Sequence, residues 1–331
     1  MAHPEDMRHA PLAELRTHVR SRRALEAEGV TARELERALA QRSLIRIRRG
    51  WFISADFWGE LWPESRHRAH VLAVALSARG AHPVFSHESA GVLWSLPLWR
   101  TAPSRVHVLA GTADRHSIPD LMRHEGRIPD ADIVEHEDLR FTSLERTTYD
   151  LIRTLSPEAA LAAADAAVAL IAGDGRAYDA DAADTWLDGL HRRVAHPGAR
   201  GVRQARRTVE LADGRAQLPL ESVARLQLVR LGFARPRLQV PVPAPRGKTY
   251  WVDLGLDDVN AFCEADGKGK YLEEALRSGL TLEQVLLNEK QREDWIRGTT
   301  QRPLARVDAS HVESASAMGR RLASFHIFPR R

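Results

Sequence analysis

Acidic residues in the last third of the chain have the type and spacing of a divalent-metal site. Asp253 lies in the apolar stretch 250–254, and Glu264 follows 11 residues later in a second stretch that ends at Asp266. A strand, a tight turn and a returning strand fit this interval, and the two-residue period of a strand places Glu264 and Asp266 on one face. Carboxylates this close repel one another unless a cation binds between them, and an all-oxygen set suits Mg²⁺ or Mn²⁺. We therefore expect Asp253, Glu264 and Asp266 to bind one of these ions, although a surface hairpin rich in turn residues would show the same pattern.

Lysine is rare in this chain, and its positions point to the same segment. The 331 residues include 48 basic side chains, of which only Lys248, Lys268, Lys270 and Lys290 are lysine. A lysine ammonium is a compact charge with a tunable pKa, whereas a guanidinium stays protonated. Lys268 and Lys270 directly follow the acids, where a cation can orient an attacking water or stabilise charge on a phosphate. Chance clustering of three lysines explains the spacing as well.

Two predicted helices flank this segment. Glu221 begins a helix whose apolar residues Val223, Leu226 and Val229 define an inward face. The stretch 288–296 predicts a second helix, on which Lys290 and Arg292 can face a phosphate, and pairing of Lys290 with Asp294 explains the charges equally well.

The amino-terminal part of the chain predicts two helices followed by a basic hairpin. Thr31 and Glu34 form a capping box that opens the second helix. The alternating stretch 44–48, the turn Arg49-Gly50 and the returning stretch 51–53 predict a β-hairpin. Residues 1–55 contain eleven arginines and seven carboxylates, and positive charge at a hairpin tip fits contact with DNA phosphates. The candidate DNA-binding arginines are Arg33, Arg37, Arg42, Arg46, Arg48 and Arg49. A small packing domain with a solvated basic face is the alternative.

The middle of the chain predicts a mixed helix and strand region with no recognisable chemistry of its own. Helices are expected at 66–79 and from the box Thr142-Ser143-Leu144-Glu145, with strands at 105–109 and 133–136. His67 and His70 lie three residues apart on a helix and can in principle share a metal. With no third ligand nearby in the sequence, a surface pair is the favoured interpretation.

The acid motifs resemble those of a nuclease superfamily. Glu221, Asp253 and the run Glu264-Ala265-Asp266-Gly267-Lys268 are similar to the motif set of the PD-(D/E)XK restriction-endonuclease-like superfamily, in particular its very-short-patch-repair-like branch. The resemblance implies a Mg²⁺-dependent nuclease fold in which Asp253 and Glu264 hold the metal and either Asp266 or Glu221 assists. The superfamily places lysine where this chain has Asp266, so Lys268 or Lys270 would have to replace it.

The upstream segments resemble the AbiEi-type antitoxin family of type IV toxin-antitoxin systems. This similarity rests on Gly29-Val30-Thr31, on Arg48-Arg49-Gly50-Trp51 and on the stretch 142–147. It implies a winged-helix DNA reader with autoregulatory or antitoxin ancestry, and a cognate toxin as a partner.

These features predict an α+β or α/β multidomain protein. We expect a winged helix-turn-helix at 1–60, an α+β domain at 61–156, a helical linker region at 157–215 and a restriction-endonuclease-like α/β sandwich at 216–331. A composition of 44% hydrophobic and 28% charged residues predicts globular domains. The chain has no apolar run of membrane-spanning length or signal core, so a cytoplasmic location is expected. The single cysteine, Cys263, excludes an internal disulfide framework.

Two functions remain open at this point. The leading hypothesis is a metal-dependent deoxyribonuclease that the amino-terminal hairpin brings to DNA. The second is a non-catalytic transcriptional autorepressor or antitoxin, in which the nuclease-like domain only binds nucleic acid or a partner.

Overall fold

The computed structural model describes residues 9–79, 82–110, 117–126, 128–175, 178–266 and 281–330. The chain divides after Thr154 into two units, which we call unit 1 (to Thr154) and unit 2 (from Leu155). The described residues form helices and three separate sheets. The expected mixed helix-and-strand, multidomain character is therefore confirmed.

Unit 1 begins with three helices and a small antiparallel sheet. The elements are α1 (Leu12–His18), β1 (Arg20–Ser21), α2 (Arg22–Ala27), α3 (Ala32–Ala40), β2 (Leu44–Arg48) and β3 (Trp51–Ser54). The capping box predicted for α3 is confirmed, because Thr31 Oγ1 accepts from Glu34 N and the Glu34 carboxylate accepts from Thr31 N. The predicted hairpin is confirmed as well. It turns at Gly50, whose φ of 80° suits glycine, and β1 completes the sheet in the order β1-β3-β2.

The rest of unit 1 is built around a five-stranded mixed sheet. Its elements are α4 (Ala55–Glu60), α5 (Pro63–Ser77), β4 (Val84–Phe85), α6 (His87–Leu93), β5 (Val106–Ala110), β6 (Leu121–Glu125), β7 (Ile133–His136), β8 (Leu139–Thr142) and α7 (Leu144–Thr154). The strand order is β6-β5-β4-β8-β7. The pairs β5–β6 and β4–β8 are parallel, and the other two are antiparallel.

The interpretation of His67 and His70 as a surface pair is wrong. Helix α5 is buried along most of its length, and His67 is only 2% exposed while His70 is half-buried. The His67 Nε2 atom lies 2.9 Å from Ser89 Oγ on α6. A helix that is covered on most sides loses the amphipathic pattern by which sequence reasoning tells an outer face from an inner one.

Unit 2 opens with four helices that pack through small side chains. They are α8 (Pro157–Ala172), α9 (Ala180–Ala195), α10 (Val202–Leu211) and α11 (Pro219–Arg230). Most alanines of α8 are buried, which allows close approach of neighbouring helices. Asp165 of α8 and Arg225 of α11 form an ion pair of 2.6 Å in which both side chains are 1% exposed. Because an unpaired buried charge is costly, this pair links α8 firmly to α11.

A four-stranded sheet follows in unit 2 and carries the acidic segment. Its elements are β9 (Arg237–Pro243), β10 (Thr249–Leu256), β11 (Ala261–Ala265), α12 (Leu282–Thr300), β12 (Leu304–Val307) and α13 (Ala315–Ala323). The strand order is β12-β11-β10-β9, with β11 and β12 parallel and the other pairs antiparallel. One face of this sheet buries an apolar cluster with Ile296 of α12. None of the described helices combines the length and apolar character needed to cross a membrane.

Candidate functional site

Two buried carboxylates meet where β10 and β11 run side by side. The antiparallel register pairs Leu254 with Cys263, which sets Asp253 beside the end of β11. Ala265 N donates to Asp253 Oδ2 at 2.9 Å, and Asp253 and Glu264 are 8% and 6% exposed. The predicted pairing of the two strands therefore brings Asp253 and Glu264 side by side on the two central strands of the sheet. Charged groups buried to this degree need partners.

Arg292 of α12 is the first of two arginines that supply those partners. Its Nη2 atom donates to Glu264 Oε1 at 2.6 Å and to the carbonyl oxygen of Trp251, and its Nη1 atom donates to Glu289 at 2.9 Å. The sequence predicts a helix on which Arg292 can face a phosphate. In the structure the guanidinium of Arg292 pairs with Glu264 and Glu289.

Arg306 of β12 is the second arginine, and its neighbours are almost all acidic. The parallel register sets Arg306 opposite Glu264. The guanidinium lies 3.6 Å from Glu264 Oε2, 3.1 Å from Asp266 Oδ2 and 3.0 Å from Glu293 Oε2, and it pairs with Glu289. We call Asp253, Glu264, Asp266, Arg292 and Arg306 the acid–arginine cluster. Arg306 was missed from the sequence because it follows Glu264 by 42 residues.

Burial dominates the electrostatics of Glu264. Burial raises the pKa of the Glu264 carboxyl, with Arg292 opposing and Asp253 reinforcing the shift. Arg292 is held in its charged form, because the hydrogen bond and charge of Glu264 raise the pKa of the guanidinium above its usual range despite burial. Both guanidinium groups also pair with Glu289, so the arginines have acidic partners besides Glu264.

Glu221 lies in the first turn of α11 and is buried. Its Oε2 atom accepts from Gln217 N at 3.0 Å and from Gln239 Nε2 at 3.3 Å. Gln239 belongs to β9, which pairs with β10 so that Val240 lies opposite Val252 and Leu238 opposite Leu254. Glu221 is thus tied to the strand next to Asp253.

The remaining predicted residues of unit 2 fall into two groups. Lys268 and Lys270 lie outside the described residues, so their predicted catalytic roles stay predictions. Lys290 is described and exposed on α12. The donor atoms of Asp253, Glu264 and Asp266 are all carboxylate oxygens, which Mg²⁺ and Mn²⁺ prefer as ligands. Two of these acids, Glu264 and Asp266, also pair with arginines.

The predicted DNA-binding arginines of unit 1 are mostly exposed. Arg33 and Arg37 project from α3, and Arg42, Arg46 and Arg49 lie around the hairpin, all exposed. Arg48 differs, since its side chain is 20% exposed and pairs with Asp120. Arg48 therefore has a structural partner in unit 1 in addition to its predicted role.

Three histidines of unit 1 form a group that sequence reasoning missed. One ring nitrogen each of His87, His107 and His124 lies within 4.8 Å of the others, the single such trio of metal-ligating side chains found in the described parts of the chain. The three residues are spread over 38 positions of sequence. No spacing rule for metal ligands would have selected them.

Comparison with known proteins adds little beyond local similarity. No family model matches the chain. Two uncharacterised proteins from two strains of Mycobacterium tuberculosis are each 37% identical to it over 67 residues, which is 20% of this chain and 25% of each relative. The matched region therefore spans about a quarter of the length of these curated relatives.

Proposed function

We propose that this protein is a DNA-binding, Mg²⁺-dependent nuclease whose catalytic centre is the acid–arginine cluster of unit 2. The observation that supports this most is that Asp253 and Glu264 lie side by side on neighbouring strands, with Asp266 two residues after Glu264. Asp253, Glu264 and Asp266 would hold Mg²⁺ or Mn²⁺, with Glu221 assisting. The ion would supply an activated water and neutralise charge on the phosphate.

The arginines of the cluster have a defined part in this proposal. Arg292 Nη2 donates to Glu264 Oε1 at 2.6 Å, Arg306 Nη2 lies 3.6 Å from Glu264 Oε2, and each arginine is about one-fifth exposed. If a cation took the carboxylates of the cluster, each guanidinium would keep its contacts with the acids of α12 and could offer a remaining N–H to a non-bridging oxygen of a phosphodiester. Either one can stabilise the negative charge that develops in the transition state, the task for which the sequence suggests Lys268 or Lys270.

Unit 1 supports the DNA-binding half of the proposal. Its order of helix, strand, two helices and a basic hairpin, with β1 joined to β3, is compatible with the winged helix-turn-helix that we propose for it. The exposed arginines of α3 and the hairpin would contact phosphates. Such contacts give affinity without sequence preference.

Cleavage of supercoiled plasmid and of single-stranded DNA tests the catalytic half. We expect cutting with Mg²⁺ or Mn²⁺ that stops with chelator and in the variants Asp253→Asn and Glu264→Gln. Asp294→Asn is a matched control, since Asp294 is an exposed acid on the same helix as Arg292. Absence of metal-dependent cutting by folded, DNA-binding protein would refute the nuclease.

A non-catalytic autorepressor or antitoxin is the second candidate, and one observation favours it. Glu264 and Asp266 already pair with Arg292 and Arg306, so both acids have cationic partners without a metal. In that case the cluster is structural, the exposed basic surface of unit 1 binds DNA, and a cognate toxin is a partner. Tight, metal-independent binding to a defined operator without cutting would support it.

A further inference from the structure

The fold of unit 1 brings three histidines from separate elements to one place. His107 lies on β5 and His124 on β6, and the parallel register sets His107 opposite Met122 and His124 opposite Leu109. The two histidines are therefore diagonal neighbours on one face of the strand pair. His87 opens α6 directly after β4, where Ser86 N donates to the carbonyl oxygen of His107 at 3.0 Å.

The imidazole rings are close enough to share one ion. His124 Nε2 lies 3.1 Å from His107 Nδ1, and the rings of His87 and His124 stack with centroids 3.6 Å apart. One nitrogen of each ring lies within 4.8 Å of the other two. Ligands at Zn–N distances of about 2.0–2.1 Å in a tetrahedron lie about 3.3 Å apart, close to the spacing of the His107 and His124 nitrogens, and the stacked rings of His87 and His124 would turn towards the ion to bind it.

Polar groups of α6 and the residue before it contact these histidines, as the outer shell of a metal site does. Ser86 Oγ lies 3.1 Å from His87 Nδ1, and Ser89 Oγ accepts from the backbone N of His107 at 2.8 Å. Glu88 Oε2 lies 2.8 Å from His107 Nδ1, the same ring nitrogen that lies 3.1 Å from His124 Nε2. A carboxylate at this position can join the imidazoles around a cation.

One further property sets His87 apart. Its φ of 49° is a left-handed conformation that is strained for a residue with a Cβ, and such strain clusters at functional sites.

We propose that His87, His107 and His124 form a binding site for a divalent transition metal of the zinc type, with Glu88 beside His107 as the accompanying carboxylate. A set of three imidazoles selects Zn²⁺, Co²⁺ or Ni²⁺ over Mg²⁺. Three protein nitrogens leave at least one position open for water or for Glu88. The site is independent of the proposed nuclease, whose ligands are carboxylates in unit 2.

Metal binding by the full-length, untagged protein tests this proposal. After treatment with chelator, the protein is titrated with Zn²⁺ by calorimetry and with Co²⁺ by visible absorption. We expect one equivalent of high-affinity Zn²⁺ that displaces Co²⁺ from a nitrogen-ligated, four- or five-coordinate site. His107→Gln and His124→Gln should each lose at least tenfold in affinity, and Glu88→Gln should lose about 10–100-fold.

Controls distinguish this site from the other histidines and from the acids of unit 2. His136→Gln changes a histidine of the same sheet whose side chain is 71% exposed, and it should bind Zn²⁺ as the wild type does. Asp253→Asn with Glu264→Gln should also leave Zn²⁺ binding unchanged. Circular dichroism of the metal-free variants verifies that each is folded. If one variant does not fold, the affinities of the other two for Zn²⁺ decide whether the site exists. The proposal is overturned if the folded wild type takes up no stoichiometric Zn²⁺ or Co²⁺, or if all three site variants bind as tightly as His136→Gln.

Discussion

Arg306 lies among four acidic side chains in unit 2. Its guanidinium lies within 4 Å of carboxylate oxygens from Glu264, Asp266, Glu289 and Glu293. Four acids around a single arginine leave an excess of negative charge, even with Arg292 nearby. Arg306 therefore holds together groups that would otherwise repel one another.

Arg306→Gln should lower the free energy of unfolding by about 2 kcal/mol in chelator, because it removes hydrogen bonds to charged partners and leaves the acids to repel one another. If the acids bind a divalent ion, Mg²⁺ or Mn²⁺ should restore part of that stability, since a cation replaces the missing charge. Thermal and urea unfolding with and without metal measure both effects. Arg320→Gln, an exposed arginine of α13, is the control and should change neither. Destabilisation that no metal reverses would contradict metal binding at the cluster.

Asp308 directly follows β12, and hydrogen bonds from neighbouring residues lower the pKa of its carboxyl group. Its Oδ1 atom accepts from Ser310 Oγ at 2.6 Å and from Ser310 N at 2.8 Å. The Ser310 hydroxyl, aided by backbone amides and His311 against slight burial, lowers the pKa of Asp308 to about 2. The folded state thus binds this proton more weakly than the unfolded state does.

The sign of the resulting pH dependence follows from this direction. A lowered folded-state pKa contributes stability above the unfolded value near 3.8, and that stability is lost as the pH falls towards about 2. Ser310→Ala removes the hydroxyl donor and should raise the pKa of Asp308 towards its ordinary value, which flattens this part of the stability curve. Carboxyl NMR titration of both proteins measures the pKa directly. An unchanged pKa in Ser310→Ala would show that the backbone amides alone set it.

At the scale of elements, the sequence predicts those parts whose signal is local. The Thr31–Glu34 box, the hairpin at Gly50 and the pairing that joins Asp253 to Glu264 all depend on residues within about a dozen positions. Arg306 and the three histidines depend on which strands become neighbours. Pairing of β11 with β12 places Arg306 beside Glu264, and pairing of β5 with β6 places His107 near His124. The sequence could not predict these contacts, because the order of strands in a sheet produces no periodic pattern along the chain.

The basic hairpin predicts that its exposed arginines, Arg46 and Arg49, bind DNA phosphates. Arg46 and Arg49 are exposed, so changing both to alanine should weaken binding of any DNA sequence. It should also reduce the slope of log K against log salt by about 2, because two phosphates would no longer be neutralised by the protein. Fluorescence anisotropy over a salt series measures this, with Arg79→Ala, an exposed arginine after α5, as the control.

Arg48 requires a separate interpretation in the same series. Because it pairs with Asp120, Arg48→Ala is expected to lower stability as well as affinity, so its effect on binding alone is ambiguous. Equal salt slopes for the wild type and the Arg46→Ala, Arg49→Ala double variant would show that the hairpin does not bind phosphates.

At the scale of the whole molecule, net charge is a weak guide to function. The chain carries 48 basic and 44 acidic residues, a net charge of +4, which favours some non-specific binding to DNA at low salt. Binding alone therefore does not distinguish a nuclease from a repressor. Metal dependence is more informative, because the two candidate metal sites lie in different units and differ in ligand chemistry.

The two metal responses should separate completely in the full-length protein. Oxygen ligands in unit 2 favour Mg²⁺ or Mn²⁺ and imidazoles in unit 1 favour Zn²⁺. Glu264→Gln should therefore abolish Mg²⁺-dependent DNA cutting and keep stoichiometric Zn²⁺ binding. His124→Gln should keep Mg²⁺-dependent cutting and weaken Zn²⁺ binding. Measuring cutting and Zn²⁺ titration on the same four proteins, namely the wild type, both single variants and the double variant, completes the comparison. Loss of Zn²⁺ binding in Glu264→Gln would mean that the metal binds at the carboxylates, and loss of cutting in His124→Gln would mean that the histidine site takes part in catalysis.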